Sequence, residues 1–136
     1  MNNSPLRLHI PVGAGELFDK ISILAIKSER ITDPAKLRYV RRELALLEAV
    51  AAEFAWPDGL DDLRATLRTV NEQLWAIEDA IRECEGRGDF GPVFVELARS
   101  VYQTNDERAR IKRQMDELCG SEVREEKSYR ESSGRT

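Results

Sequence analysis

Apolar residues recur at steps of three and four through four segments of this chain, and this spacing most constrains its fold. Such steps place side chains on one face of an α-helix, which turns once per about 3.6 residues. The segments are residues 14–32, 34–55, 60–85 and 92–119. The sequence therefore predicts an all-α protein with four long, heptad-like helices. The apolar face of the second segment comprises Leu37, Val40, Leu44, Leu47, Ala51 and Phe54.

Proline and glycine separate these segments. Asp33 followed by Pro34 is typical of a helix start, with Asp33 as the N-cap and Pro34 in the first turn. Residues 56–59 and 86–92 contain further breaks, and Gly120 is placed to end the last helix. Short turns join helices that lie antiparallel, so we expect an antiparallel four-helix bundle in which the second and third helices form one hairpin.

The length of 136 residues fits a single domain. We assign residues 1–12 to an N-terminal arm, 13–120 to the bundle and 121–136 to a charged tail. Residues 6–12 alternate apolar and polar side chains, which predicts a short strand or an extended arm packed along a groove. The tail is expected to be loosely ordered beyond Tyr129 because it is polar and rich in serine.

The composition of the chain argues against several classes of function. A formal net charge of −4 does not favour nucleic-acid binding, which uses a basic surface. There is no secretion signal and no long apolar run, so we expect a cytoplasmic protein that does not span a membrane. The single His9 and the widely separated Cys84 and Cys119 lack metal-ligand spacing, so no metal and no cofactor are predicted and both thiols are expected to be reduced and buried.

Polar side chains line up beside the apolar faces of the first, third and fourth helices. On the third helix, Asn71, Trp75, Glu78 and Arg82 share one face. Antiparallel packing would bring this face against the middle of the fourth helix. The candidate ligand-binding residues are Asp19, Lys20, Lys27, Arg30, Trp75, Glu78, Arg82, Asn105, Arg108 and Lys112.

Three interpretations of these residues stay open. They can form interhelical ion pairs that fix helix register, with Glu78 and either Asp106 or Glu125 as partners for the cations of the first helix. They can line a cleft for a small anion, with arginine and lysine as the clamp and Glu78 as an orienting group or base. They can also form a surface for a partner protein. A magnesium site is disfavoured because Glu78, Asp79 and Glu83 supply only one half of a carboxylate set.

The two glycines of residues 13–15 precede the first helix. Glycines at a helix N-terminus can present backbone N–H groups to an anion. A flexible turn is the favoured interpretation here because the later residues of a phosphate loop are missing.

Four motifs also carry a resemblance to a known family. They are GELFDKISILAIKSERI, LWAIEDAIRECE, FVELARSVYQTNDERARIKRQ and GSEVREEKSY. Together they resemble a bacterial and phage domain family of unknown function, some of whose members are associated with glycosyltransferase or surface-polysaccharide genes. The resemblance implies that residues 125–129 pack on the bundle. The leading interpretation of the chain is a non-catalytic accessory or interaction domain. The resemblance implies that this domain is tied to surface glycan synthesis, with a glycosyltransferase-type enzyme as partner. The alternative is a bundle that binds, or acts on, a phosphosugar or nucleotide.

Overall fold

The computed structural model describes residues 4–126, and its secondary structure consists of four α-helices. They are α1 (Ala14–Arg30), α2 (Pro34–Ala52), α3 (Leu60–Arg87) and α4 (Pro92–Cys119). The predicted all-α bundle is confirmed, and each predicted helix end lies within three residues of the observed one.

The predicted breaks act as expected. The Asp33 side chain accepts a hydrogen bond from the Ala35 N–H at 3.1 Å, which makes it the N-cap of α2. Gly120 ends α4 with a φ of 65°, a left-handed conformation that glycine adopts without a steric penalty.

Contacts between named side chains give the helix directions. Phe18 contacts Arg64 and Ser22 contacts Asn71, so residue numbers rise together and α1 runs parallel to α3. Asp19 contacts Arg108 while the earlier Glu16 contacts the later Lys112, so α1 runs antiparallel to α4.

Helix α1 lies at the centre of this arrangement. It packs against each of the other three helices and contributes Leu17, Phe18 and Ile21 to the core. From α3 the core takes Leu67 and Val70, and from α4 it takes Ile111 and Met115. Helix α1 has 17 residues and α3 and α4 have 28 each, so at about 1.5 Å per residue the hairpin of α3 and α4 is about 16 Å longer than α1. The hairpin therefore extends beyond the core that α1 covers.

Helix α2 packs differently from the expectation. Its backbone approaches α1 and neither α3 nor α4, so the predicted hairpin of the second and third helices is wrong. The predicted apolar face does turn inward, since Leu44, Leu47 and Ala51 pack against the core. However, no residue of α2 is fully buried, because one neighbouring helix covers only part of its circumference. The sequence pattern identifies the inward face correctly and does not show how many helices cover it.

The start of α1 is closed by α4 and the segment after it. The Asp116 carboxylate accepts a hydrogen bond from the Gly15 N–H at 2.8 Å, and the Ser121 hydroxyl oxygen accepts one from the Ala14 N–H at 3.0 Å. The second oxygen of Asp116 accepts a hydrogen bond from the Glu125 N–H at 2.7 Å. The Gly15 N–H in the first turn of α1 thus binds an anion, as one interpretation allowed, but that anion is a carboxylate of the same chain. Residues 13–15 are buried here, which does not fit a flexible turn.

The predicted packing of the two ends of the chain is wrong for the N-terminal arm and partly confirmed for the C-terminal segment. Residues 4–13 form no strand, and Leu6, Leu8 and Ile10 are 72–87% exposed, so neither a paired strand nor an arm packed in a groove is present. At the other end, Glu125 contacts Lys112 and Glu126 contacts Arg113, so this part of the EEKSY motif does contact the bundle. Residues 127–129 lie outside the described residues.

Gly15 is a position where this packing leaves no room for a side chain. A Cβ atom there would lie 2.4 Å from the Lys112 carbonyl oxygen, which is backbone of α4 and cannot move aside cheaply. We expect Gly15→Ala to lower the free energy of unfolding by about 1–3 kcal/mol or more, measured by urea titration with circular dichroism.

Gly86 is the matched control, because it lies within α3 and a Cβ atom there meets nothing within 4 Å. Gly86→Ala is expected to leave stability unchanged or raise it by up to about 1 kcal/mol. Equal effects of the two substitutions would show that α1 and α4 do not approach this closely.

Candidate functional site

A cleft of about 520 Å³ lies between the second half of α1 and the middle of α3 and α4. Its floor includes the buried Ile26 and Asn71, and its rim includes the exposed Glu78, Asp79 and Arg82. The residues that line it are Ile23, Ile26, Lys27, Asn71, Leu74, Trp75, Glu78, Asp79, Arg82, Asn105 and Arg108.

One face of α3 supplies most of the cleft. Its lining residues lie at 71, 74, 75, 78, 79 and 82, a spacing of three and four that keeps them on one side of the helix. The fourth helix adds Asn105 and Arg108, which are three residues apart and so also share a face. The cleft is therefore built on rigid helices, and its shape depends on how α1, α3 and α4 pack.

The carboxylate of Asp19 joins these three helices behind the cleft. Asp19 is only 1% exposed. Its Oδ1 accepts hydrogen bonds from Asn71 Nδ2 on α3 and from Arg108 Nε on α4, both at 3.0 Å. Arg108 Nη2 also donates to the second oxygen, so the guanidinium holds the carboxylate with two parallel bonds. A buried charge without such partners would be strongly destabilising.

Arg108 stands between this carboxylate and the cleft. The hydrogen bond to Asp19 raises the pKa of Arg108, while burial acts in the opposite direction and the charges of Asp19, Glu16 and Glu125 add to the rise. The guanidinium is thus a fixed positive charge whose Nε and Nη2 are committed to Asp19. Its Nη1 lies 3.5 Å from the Asn105 side-chain oxygen, and the guanidinium forms part of the cleft wall.

Lys112 forms a second ionic centre, one turn further along α4. Its ammonium group lies 2.9 Å from Glu16 on α1, 2.9 Å from Glu125 after α4, and 3.7 Å from Asp19. Burial is the largest single influence on the pKa of Lys112 and acts to lower it, but the three carboxylates together outweigh burial and raise the pKa. This centre ties the segment after α4 to the bundle, and Lys112 does not line the cleft.

Four charged side chains of the cleft are not committed in this way. Lys27 and Arg82 form no ion pair with any residue in the range 4–126, and the same is true of Glu78 and Asp79. Lys27 approaches from α1 and the other three come from α3. Two cations and two carboxylates thus face one open volume without neutralising each other by contact.

Trp75 supplies the aromatic part of the lining. The Arg30 guanidinium carbon lies 5.5 Å from the centre of its ring, within the range of a cation–π contact. Arg30 is in turn 3.6 Å from the Glu72 carboxylate. The Trp75 indole is therefore held in place by Arg30, which lies outside the cleft.

The structure places the predicted site residues in three groups. Six of them line the cleft, namely Lys27, Trp75, Glu78, Arg82, Asn105 and Arg108. Asp19 and Arg30 lie behind it and hold Arg108 and Trp75, respectively. Lys20 and Lys112 do not line the cleft, because Lys20 is exposed outside it and Lys112 belongs to the second ionic centre.

The predicted ion partners of the first helix are wrong. Arg30 pairs with Glu72 rather than Glu78, while Lys20 and Lys27 pair with none of the described residues. Glu125 pairs with Lys112 instead of a cation of α1. Helical spacing gives the face of each residue but not the longitudinal position of one helix against the next, and the partners depend on that position.

The sequence analysis also missed several residues that line the cleft or cap α1. Asp79 lies four residues after Trp75 and could have been found by the same spacing. Ile23, Ile26 and Leu74 form apolar parts of the wall, and they looked like ordinary core residues. Asp116 and Ser121 were missed because a cap supplied by a distant segment leaves no local signal.

Within residues 4–126, no three His, Cys, Asp or Glu side chains converge in the way that a metal site requires. No helix in that range combines the length and the apolar character that crossing a membrane would need. Cys84 is buried and Cys119 is partly buried, neither forms a disulfide, and burial raises the pKa of the Cys119 thiol.

Comparisons with protein-family models, with curated proteins and with solved structures gave no match to this chain. The resemblance described above therefore stays a prediction.

The second ionic centre predicts a defined pH dependence. Lys112→Met removes the cation that lies between Glu16, Asp19 and Glu125, and of these three carboxylates only Asp19 keeps another cation among the described residues, Arg108. We therefore expect a loss of roughly 2–4 kcal/mol of unfolding free energy at neutral pH. Because the folded-state pKa of Lys112 is raised, its contribution is complete below the ordinary lysine pKa of about 10.4 and is lost as the pH rises through the higher, folded value. The difference in unfolding free energy between the two proteins should stay constant through the neutral range and narrow in strong alkali.

Urea titrations of both proteins across this pH range provide the measurement. Lys20→Met is the control, since Lys20 is exposed and unpaired, and its effect should stay within about 0.5 kcal/mol. If Lys112→Met were as stable as the unaltered protein at neutral pH, the proposed neutralisation of the three carboxylates would be wrong.

Proposed function

We propose that this chain is a binding module whose cleft takes a small hydroxylated anion, with phosphosugars as the ligand class. The observation that supports this most is the set of uncommitted charges in the cleft. Lys27 and Arg82 stand beside Glu78 and Asp79 around one open volume, next to Trp75. Ion pairs whose purpose is only to fix helix register would be closed on each other, as those of Asp19 and Lys112 are.

Each group matches one part of such a ligand. A phosphate accepts charge-assisted hydrogen bonds from lysine and arginine, which Lys27 and Arg82 offer. Sugar hydroxyl groups donate hydrogen bonds to carboxylates, which Glu78 and Asp79 offer. The apolar face of a sugar ring packs on an aromatic ring, which Trp75 offers. The volume of about 520 Å³ lies in the range of small-molecule sites.

Arg108 also contributes to the cleft, because its guanidinium group is held in a fixed position in the cleft wall. Its two bonds to Asp19 fix the guanidinium in one orientation, so binding does not have to order a flexible side chain. We assign Glu78 to ligand orientation. The proposal is one of binding and includes no chemical step.

The accessory role predicted from the sequence, and the link to glycan synthesis that the resemblance implies, are compatible with such a module. Sugar nucleotides and phosphosugars are the substrates or products of enzymes that build glycans. A cytoplasmic module that holds such a compound beside a glycosyltransferase-type partner combines both parts of the sequence interpretation. This link, unlike the cleft, depends on the resemblance alone.

Thermal-shift and calorimetric titrations test the binding proposal. The probes are a hexose 1-phosphate, the corresponding free hexose and inorganic phosphate. We expect the hexose 1-phosphate to raise the melting temperature most, because it alone engages both the cations and the carboxylates. Lys27→Ala and Arg82→Ala should each weaken its binding by about ten- to a hundredfold, the usual effect of losing a hydrogen bond to a charged group.

Lys20→Ala is the matched control, because Lys20 lies seven residues before Lys27 on the same helix and outside the cleft. It should bind the hexose 1-phosphate like the unaltered protein. Two results would reject the proposal: no shift with any of the three probes, or equal losses for Lys20→Ala and Lys27→Ala.

A further inference from the structure

Helix α2 carries its charges in two separate halves. Residues 34–42 contain four basic side chains and no acidic one, whereas residues 43–53 contain three acidic side chains and no basic one. The basic residues are Lys36, Arg38, Arg41 and Arg42, and the acidic residues are Glu43, Glu48 and Glu53.

This order opposes the helix dipole. The N-terminus of a helix carries a partial positive charge and favours acidic side chains, and the C-terminus favours basic ones. Helix α2 has no acidic residue in its first turn and no basic residue in its last. The charge pattern thus lowers the intrinsic stability of α2, and some other interaction must favour it.

Ion pairing within the described part of the chain does not supply that interaction. None of the seven charged side chains forms an ion pair with another of residues 4–126. Helix α2 also packs on α1 alone among the helices, so most of its circumference is free for a partner.

An exposed apolar face accompanies these charges. Tyr39, Leu46 and Val50 are separated by seven and four residues, so they share one side of the helix. They are 76%, 39% and 41% exposed, respectively. Phe54, just beyond the helix end, is 60% exposed. Monomeric proteins scatter single apolar residues over the surface, but a row along one helix indicates an interaction site.

We infer that α2 pairs antiparallel with α2 of a second copy of this chain, through the face formed by Tyr39, Leu46 and Val50. Antiparallel pairing places the basic half of each helix against the acidic half of the other. A two-fold axis generates this match twice, because the same surface is used on both copies. A helix with mixed charges along its length would have no such self-complementarity.

The axis would pass near Leu46, the middle residue of the apolar face. Tyr39 of one copy then comes opposite Val50 and Phe54 of the other. Arg42 comes within about one helical turn of Glu53 in the second copy. This arrangement also places each basic half beside the negative end of the opposite helix dipole.

Light scattering coupled to size-exclusion chromatography, run on the full chain over a range of concentrations, tests this inference. The unaltered protein should behave as a dimer. Leu46→Glu should raise the dimer dissociation constant by about a hundredfold or more, because it buries an unpaired charge at the centre of the interface. Arg42→Glu and Glu53→Arg should each weaken the dimer, and the double variant should recover most of the loss.

Two controls keep the test specific. Val93→Glu alters an exposed apolar residue of α4, outside the proposed interface, and should leave the dimer unchanged. Circular dichroism should show native helix content in every variant, because the altered side chains are exposed in the monomer. A monomer at all concentrations would overturn the inference. So would a dimer that persists in Leu46→Glu, which would place the contact elsewhere, for example at the exposed residues 6–12.

Discussion

The buried carboxylate of Asp19 is the interaction on which the rest of this structure depends. It lies on the central helix α1 and accepts hydrogen bonds from Asn71 of α3 and Arg108 of α4. Apolar packing alone would let α3 and α4 slide along α1, since many registers bury similar areas. A charge that is 1% exposed permits only the register in which its partners reach it. The same contact fixes Arg108 at the cleft wall, so the fold and the candidate site share one determinant.

The charged residues at and behind the cleft fall into an inner and an outer layer, which differ in whether their charges are paired. The inner layer contains Asp19, Arg108, Lys112 and Asp116, whose charged groups are paired or hydrogen-bonded. Of the buried side-chain nitrogen and oxygen atoms in the described residues, each has a hydrogen-bond partner. The outer layer faces the cleft, and Lys27 and Arg82 there form no ion pair with any of the described residues. The interpretation as structural ion pairs therefore fits the inner layer, and the proposed binding of a ligand concerns the outer layer.

The sequence predicted the helices well because their signals are local. A step of three and four gives the face, Asp33 and Pro34 give a start, and Gly120 gives an end. It predicted the polar face of α3, including Trp75 and Arg82, by the same rule. The sequence could not predict that α2 packs on α1 and not on α3, or that Arg30 pairs with Glu72. Both features depend on the relative positions of helices. The cap that Asp116 supplies to Gly15 spans 101 residues of sequence, and spacing within one helix does not reveal such a contact.

The cleft and the face of α2 belong to separate parts of the molecule. The lining of the cleft comes from α1, α3 and α4, and α2 contributes no residue to it. Pairing of two chains through α2 would therefore leave both clefts open, and each would keep its own set of charges. A dimer of this kind holds two binding sites in a fixed relation, which raises the apparent affinity for a partner that presents two ligands, without any change at either site. The separation also explains how α2 can carry a charge order that opposes its own dipole: its packing on α1 holds only one side, and the arrangement around Asp19 does not depend on the other.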